Sequence, residues 1–161
     1  MAHVWEFTNQ RKLNKKEFID YFEKKVFKTI RKFEMLPKDK IFRIKKSEDL
    51  NTLTLTEVLE RKFEVVSSDK QNTSADNLSS VAENIFGNLL DGKFEGVRPN
   101  DELIYPLYYH SDAEIELYAK LVGISGRKSS RDKNIQVLFD KFRNKNPDLE
   151  INVVKALSQL D

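Results

Sequence analysis

Short apolar runs alternate with helical patterns through the middle of this chain. The apolar runs have the length of strands, and the stretches between them repeat apolar residues every three or four positions. The strand candidates are Ile41–Ile44, Phe63–Val66 and Leu103–Tyr108, and the helix candidates between them are Leu53–Arg61 and Asn77–Leu90. Strands that alternate with helices usually pair in parallel. The sequence therefore predicts an α/β fold, with a small parallel sheet covered by helices.

Further helical patterns flank this region. The first is amphipathic and rich in lysine, and Asn14 with Glu17 forms a capping pair at its start. The last two are separated by Asn146–Pro147 and predict a C-terminal helical hairpin, which either packs against the sheet or projects from it. The four flanking helices are predicted at 14–34, 112–122, 132–144 and 149–160.

The chain of 161 residues fits a single domain. We divide it into a basic helical region (1–36), an α/β core (37–124) and the C-terminal hairpin (125–161). No apolar run approaches the ~20 residues that span a bilayer, and the first residues lack the apolar core of a signal peptide. We therefore expect a cytoplasmic protein with no membrane partner.

Charge is distributed unevenly along the chain. Residues 1–46 carry 14 basic and 6 acidic side chains, whereas residues 47–125 carry 6 basic and 15 acidic ones. The basic end fits either a surface that contacts RNA phosphates or a solvated face that complements the acidic middle. The candidate phosphate-binding residues of the first helix are Lys15, Lys16, Lys24, Lys25, Lys28, Arg31 and Lys32. Those of the loop at 126–131 are Arg127, Lys128 and Arg131.

A group of aromatic residues precedes the helix at 112–122. It comprises Tyr105, Tyr108, Tyr109 and His110. Such a group fits a surface for stacking nucleic-acid bases or the packed end of a strand, and the spacing favours packing. The acidic residues nearby show no informative spacing, so no catalytic residue is assigned.

Several segments, in this order, carry a family resemblance. A charged helix at Leu13–Phe33 precedes Asn77–Gly92, which contains Asn-Leu-Ser-Ser, Ala-Glu and Asn-Leu-Leu-Asp-Gly. Tyr105-Pro-Leu, Glu114–Ile124 and the helical pair at Phe139–Leu160 follow. Together these segments resemble the PP-loop ATPases that form 2-thiouridine in tRNA, the archaeal and eukaryotic cytoplasmic tRNA thiolases. The resemblance implies a PP-loop core, ATP-dependent sulfur transfer to tRNA, and ATP, zinc and an Fe–S cluster as cofactors.

The nucleotide-binding positions depart from this family pattern. The family's Ser-Gly-Gly-Lys-Asp-Ser turn corresponds here to Ser47, Glu48, Asp49, Leu50, Asn51 and Thr52, and its acidic pair corresponds to Ser79 and Ser80. Glycines let backbone amides approach the phosphates closely. Glu48 and Asp49 instead place two negative charges where a polyanion would bind. We therefore predict that ATP is not a cofactor of this chain.

The metal-binding positions are also replaced. The family's zinc ligands beside the first helix correspond to Asn14 and Glu17, which are a hydrogen-bonding pair. The chain has no cysteine and only two histidines, His3 and His110. Thiolate zinc sites and Fe–S clusters both need cysteine ligands. The sequence therefore predicts no zinc, no Fe–S cluster and no other metal.

These observations leave three functional hypotheses. The first is a catalytically inactive relative of the thiolases that retains tRNA binding through the first helix and the 126–131 loop. The second is a noncatalytic subunit that pairs with an intact thiolase. The third is an ATP-dependent tRNA-modifying enzyme with a rebuilt nucleotide site at Ser47–Thr52.

Overall fold

The structure, a computed structural model, describes residues 2–92, 103–128 and 133–159. None of the helices in these ranges combines the length and the apolarity that spanning a membrane requires. In chain order the elements are β1 (His3–Glu6), β2 (Lys12–Asn14), α1 (Lys15–Lys32), β3 (Ile41–Ile44), α2 (Leu50–Leu59), β4 (Glu64–Ser67), α3 (Leu78–Leu90), α4 (Asp112–Val122), α5 (Lys133–Lys145) and α6 (Leu149–Gln159).

A parallel sheet lies at the centre of the fold. Strands β3 and β4 pair in parallel, with Ile41 opposite Glu64 and Ile44 opposite Ser67. Single parallel bridges extend the pairing from Ile44 to Thr73 and from Thr73 to Ile104. The predicted α/β class, with a small parallel sheet covered by helices, is confirmed.

Capping side chains set the starts of the helices. At α1 the Asn14 carboxamide accepts from the Glu17 amide at 2.9 Å and the Glu17 carboxylate accepts from the Asn14 amide at 3.0 Å, as predicted. Helix α2 begins at Leu50 rather than near Leu53, because Asp49 caps it. The end of α4 at Gly123 was also predicted, and this glycine adopts a left-handed conformation with φ of 82°.

The segment Leu103–Tyr108 is not a strand, contrary to the prediction. Only Ile104 forms a β-bridge, and the chain then turns, with the Tyr108 amide donating to the Tyr105 carbonyl at 3.0 Å. Pro106 lacks the amide hydrogen that a ladder needs, which explains why pairing stops there.

The first residues form a hairpin that the sequence analysis missed. Strands β1 and β2 are antiparallel, and the Phe7 amide donates to the Arg11 carbonyl at 2.8 Å across the turn. The indole of Trp5 packs on Phe18 of α1, with ring centroids 5.3 Å apart. The hairpin is thereby held against α1, and the basic residues after its turn lie beside that helix.

Within the described residues, two apolar clusters make up the core. The first lies between α1, the sheet, α2 and α4, and its buried rings include Phe22, Phe42 and Tyr118. The second joins Ile85 of α3 to Phe139 of α5 and Val154 of α6. Helices α5 and α6 pack on α3, so the C-terminal hairpin does not lie against the sheet, which was one of the two placements expected for it.

Candidate functional site

A basic groove runs between the hairpin and α1. It encloses about 580 Å³ and is lined by Arg11, Leu13, Glu17, Asp20, Tyr21, Lys24, Lys25 and Lys28. Three of the predicted phosphate-binding lysines therefore share one groove, and the hairpin adds Arg11 to them. Sequence reasoning missed Arg11 because it missed the hairpin. The apolar–polar–apolar order of Trp5, Glu6 and Phe7, followed by the turn residues Thr8 and Asn9, was the available signal.

The four cations of the groove differ in their partners. Lys24 pairs with Asp20 at 2.9 Å on an exposed surface. Lys25 is inward-facing and pairs with the buried carboxylate of Glu114 at 3.1 Å. Arg11 and Lys28 are exposed, and neither forms an ion pair with any residue in the described ranges. Arg11 and Lys28 are thus the cations most available to an anionic ligand.

The remaining basic residues of α1 lie outside the groove. Lys15 and Lys16 are exposed in its first turn. Arg31 and Lys32 continue the basic face one turn beyond Lys28, and the Lys32 ammonium lies 5.4 Å from the centroid of the Phe33 ring. The predicted set therefore divides into groove residues, a first-turn pair and a last-turn pair.

The predicted loop cations lie in another part of the molecule. Arg127 approaches Glu48 at 3.9 Å, and Lys128 pairs with Glu116 at 3.1 Å. Arg131 falls outside the described residues. The structure therefore does not place Arg127 and Lys128 in the groove with α1.

A buried polar network holds one wall of the groove. The carboxylate of Glu114 accepts from the Tyr21 hydroxyl at 2.9 Å and from the Ser111 amide at 3.1 Å, in addition to Lys25. Burial alone would raise the pKa of Glu114, but the Lys25 ammonium and the Ser111 amide outweigh it and hold that pKa below its usual value. Glu114 is therefore ionised at neutral pH, and Lys25 balances its charge.

His110 lies beneath this network and is fully buried. Its Nε2 lies 3.3 Å from the Phe22 carbonyl oxygen and donates a hydrogen bond to it. Burial, reinforced by the nearby charge of Lys25, lowers the pKa of His110 to about 3. The imidazole is consequently neutral at physiological pH and is part of the core.

A second cleft of about 350 Å³ opens at the carboxyl end of β3. It is lined by Lys45, Lys46, Ser47, Asp49, Asn51 and Thr52 on one side and by Gln71 and Thr73–Asp76 on the other. Ligands of open α/β folds commonly bind at this edge of the sheet. Of the predicted nucleotide-loop positions, four thus line a cleft, whereas the side chain of Glu48 is exposed at the surface and Leu50 is buried in the core.

The carboxylate of Asp49 occupies the place in this loop where an anionic ligand would otherwise bind. One oxygen accepts from the Thr52 amide at 2.7 Å, and the other accepts from the Ser47 hydroxyl at 2.7 Å. These are the groups that would otherwise face an anion at the start of α2. Asn51 donates to the Ala75 carbonyl at 3.1 Å and ties the loop to the opposite wall.

The chain after α4 pairs with the same loop. The Leu50 amide donates to the Arg127 carbonyl at 2.7 Å, and the Arg127 amide donates to the Glu48 carbonyl at 3.0 Å. A Cβ atom at Gly126 would lie 3.0 Å from the Glu48 carbonyl oxygen and 3.0 Å from the Leu50 Cα. Glycine at 126 therefore permits this close approach of the two backbones.

Ser79 and Ser80 do not line the second cleft. The Ser79 hydroxyl donates to Glu150 of α6 and accepts from the Asp112 amide at 2.9 Å, so it joins three helices in the interior. The Ser80 hydroxyl accepts from the Asn77 amide at 2.9 Å and caps α3. Within the described residues, no group of three or more histidine or carboxylate side chains is arranged to hold a metal ion.

Comparison with known proteins identifies the fold. No protein-family model matches the sequence, and no curated protein sequence matches it. Among solved structures, the chain is similar to the U34-tRNA thiolase NcsA from Methanococcus maripaludis, determined with its 4Fe-4S cluster, with a TM-score of 0.74. The match covers 99% of this chain and 84% of that chain at 13% sequence identity. At this identity the likeness shows the fold, which is that of a tRNA thiolase.

Proposed function

We propose that this protein binds tRNA and does not catalyse thiolation, as a tRNA-binding relative of the thiolases. The observation that carries the proposal is the basic groove, where Arg11 and Lys28 are exposed without a carboxylate partner among the described residues. Unpaired cations that line one groove attract a phosphate backbone and release its counterions on binding. The thiolase-like fold supports tRNA as the particular RNA.

Asp49 supports the noncatalytic part of the proposal. Its carboxylate accepts the amide and hydroxyl hydrogens that an ATP phosphate would need. A phosphate at this position would also lie beside a negative charge. We therefore expect ATP to leave the midpoint of thermal unfolding unchanged. A rise that grows with ATP concentration would instead favour a rebuilt nucleotide site.

The first test is the salt dependence of tRNA binding. About four phosphate contacts give a slope near −3.6 in the logarithm of the association constant against log salt, so affinity should fall on the order of 100-fold between about 50 and about 200 mM salt. The double variant Lys24→Glu with Lys28→Glu should bind more weakly and reduce this slope by about two. Lys25 must stay unchanged, because its loss would disturb the buried carboxylate of Glu114.

A matched control separates the groove from net charge. Lys141 and Lys155 are exposed on other helices, and neither lines the groove. The variant Lys141→Glu with Lys155→Glu changes net charge by the same amount and should leave most tRNA affinity intact. Equal losses in the two double variants, or no binding by the parent protein at about 50 mM salt, would refute groove-mediated binding.

An exposed apolar surface favours a second function, that of a subunit that pairs with an intact thiolase. Leu90 is 52% exposed at the end of α3, and Val137 and Phe142 of α5 are 56% and 50% exposed. The rings of Phe86 and Phe142 lie 5.7 Å apart and join the two helices into one surface. Exposed apolar patches commonly mark protein interfaces. Co-elution with a purified thiolase that is lost in Phe142→Lys, in the absence of RNA, would support this function.

A further inference from the structure

An aromatic pair stands at the end of the basic face of α1. The rings of Phe33 and Tyr109 are stacked, with centroids 5.4 Å apart and planes inclined by 24°. Phe33 is 38% exposed even though it is stacked, and Tyr109 is half-buried. Tyr105, Tyr108 and His110 are buried, so Tyr109 is the member of that predicted aromatic group with a solvent-facing ring.

The groove leads along α1 to this pair. Lys24, Lys28 and Lys32 are spaced four residues apart, which places them on one face of the helix in successive turns. The Lys32 ammonium reaches the Phe33 ring at 5.4 Å and connects the basic face to the aromatic pair. A polyanion that follows these lysines from Arg11 therefore arrives at Phe33.

A large acidic cleft lies beside the basic groove and the row of lysines on α1. It encloses about 760 Å³ and shares Tyr21 and Lys25 with the basic groove. Seven carboxylate side chains line it, with Lys25 and Arg143 as its basic residues, and Tyr109 lies at its wall. Phosphates are repelled from such a cleft, whereas an uncharged base is tolerated beside it. The charges therefore separate a region for phosphates from a region for bases.

We infer that the RNA bound in the groove is unpaired where it leaves α1, and that one of its bases stacks on the Phe33–Tyr109 pair. This inference rests on the proposed function, since it names the class of RNA that the groove takes. Bases inside a duplex are stacked on their neighbours and cannot reach a protein ring, whereas bases of loops and single strands can. Stacking on a ring requires no particular base, so little sequence preference is expected at this position.

The test compares two single-stranded RNAs that have the same phosphates but differ in their bases, with a duplex as a third probe. The probes are a uridine oligomer of about 12 nucleotides, an abasic oligomer of the same length and a duplex of the same length, at about 50 mM salt. The wild-type protein should bind the uridine oligomer about ten-fold more tightly than the abasic one. Phe33→Leu, which keeps an apolar side chain but removes the ring, should abolish that difference. Leu36→Ala, at a position 41% exposed nearby, should not.

The outcomes distinguish this inference from the proposed function. Equal affinity of the wild-type protein for uridine and abasic oligomers would overturn the inference, and this comparison does not depend on any variant being folded. A duplex bound as tightly as the single strand, with Phe33→Leu unchanged, would also overturn it while leaving groove binding intact. Absence of binding to every probe would overturn the proposed function itself.

Discussion

Replacing Lys25 by methionine tests whether Lys25 balances the buried charge of Glu114, unlike the exposed cations of the groove. Methionine approximates the apolar stem of lysine but removes the ammonium that balances Glu114. The Glu114 side chain is only 7% exposed, so its charge would remain in the interior without a cation. The same replacement at Lys24, the preceding residue on α1, removes an exposed pair whose side chains are 76% and 60% accessible.

The expected costs follow from the burial of the two pairs. Removing one partner of a buried ion pair typically costs about 3–5 kcal/mol. Here Glu114 keeps hydrogen bonds from Tyr21 and Ser111, and the Lys25 side chain is itself 25% exposed. We therefore expect Lys25→Met to lower the free energy of unfolding by about 2–3 kcal/mol. Lys24→Met should lower it by about 0.5 kcal/mol or less.

Urea denaturation followed by circular dichroism measures both values. With a typical slope of about 2 kcal/mol per molar urea, the Lys25→Met midpoint should fall by about 1 M. The cost should also shrink as pH falls. The lowered pKa of Glu114 means that its ion pair stabilises the native protein above the unfolded pKa and that this stabilisation disappears in acid. In the variant, burial without Lys25 favours protonation of Glu114, which removes the unbalanced charge.

Two results would refute this reasoning. One is a Lys25→Met protein at neutral pH whose unfolding free energy lies within about 0.5 kcal/mol of that of Lys24→Met. The other is a cost that stays constant from neutral pH to about pH 4, near the ordinary pKa of glutamate. Either result would show that Lys25 does not balance a buried charge, and Lys25 would then count as a groove cation like Lys28.

Three further changes test other contacts of the fold. Asp49→Ala should lower the unfolding free energy by about 1 kcal/mol in urea denaturation because it removes the α2 cap. Asp49→Asn should retain most of the stability that the cap provides, because asparagine also caps helices. Gly126→Ala should cost about 1–3 kcal/mol, since its Cβ would meet backbone at 3.0 Å, whereas Ser125→Ala should be nearly neutral. Burial raises the pKa of Glu150, so the native state loses stability as pH rises through that pKa. Glu150→Gln should therefore be as stable as the parent at neutral pH, with a weaker pH dependence, whereas Ser79→Ala should lose about 1–3 kcal/mol. A Glu150→Gln protein much less stable than the parent would show that the Arg143 pair outweighs the burial of the charge.

Local features of the sequence predicted the elements whose determinants lie close together. The Asn14–Glu17 pair and the Gly123 end are encoded within a few residues, and both helix boundaries were predicted correctly. The cap formed by Asp49 with the Thr52 amide is equally local. It was missed because the helix was predicted to begin at Leu53, although an acidic residue before an apolar run is a common start signal.

The site depends on contacts that no local pattern encodes. Lys25 and Glu114 are 89 positions apart, so the α1 pattern does not identify this partner, although helical spacing places Lys25 on the same face as the buried Phe18 and Phe22. Arg11 enters the groove only because the hairpin folds back onto α1. The basic residues of α1 could therefore be identified from the sequence as a set, but the pairing of Lys25 with Glu114 and the approach of Arg11 to α1 required the structure.

The Asp49 cap also has an evolutionary consequence. A path from this loop to a phosphate-binding one must remove the carboxylate, and a first step to a residue that cannot cap α2, such as alanine, costs about 1 kcal/mol with no ligand yet gained. Glycine substitutions in the loop would add an entropic cost of their own. Selection for stability therefore opposes the early steps of such a path. Gain of phosphate binding at this loop is therefore disfavoured. The Asp49 carboxylate is part of the chain and always present, whereas a nucleotide must be bound from solution.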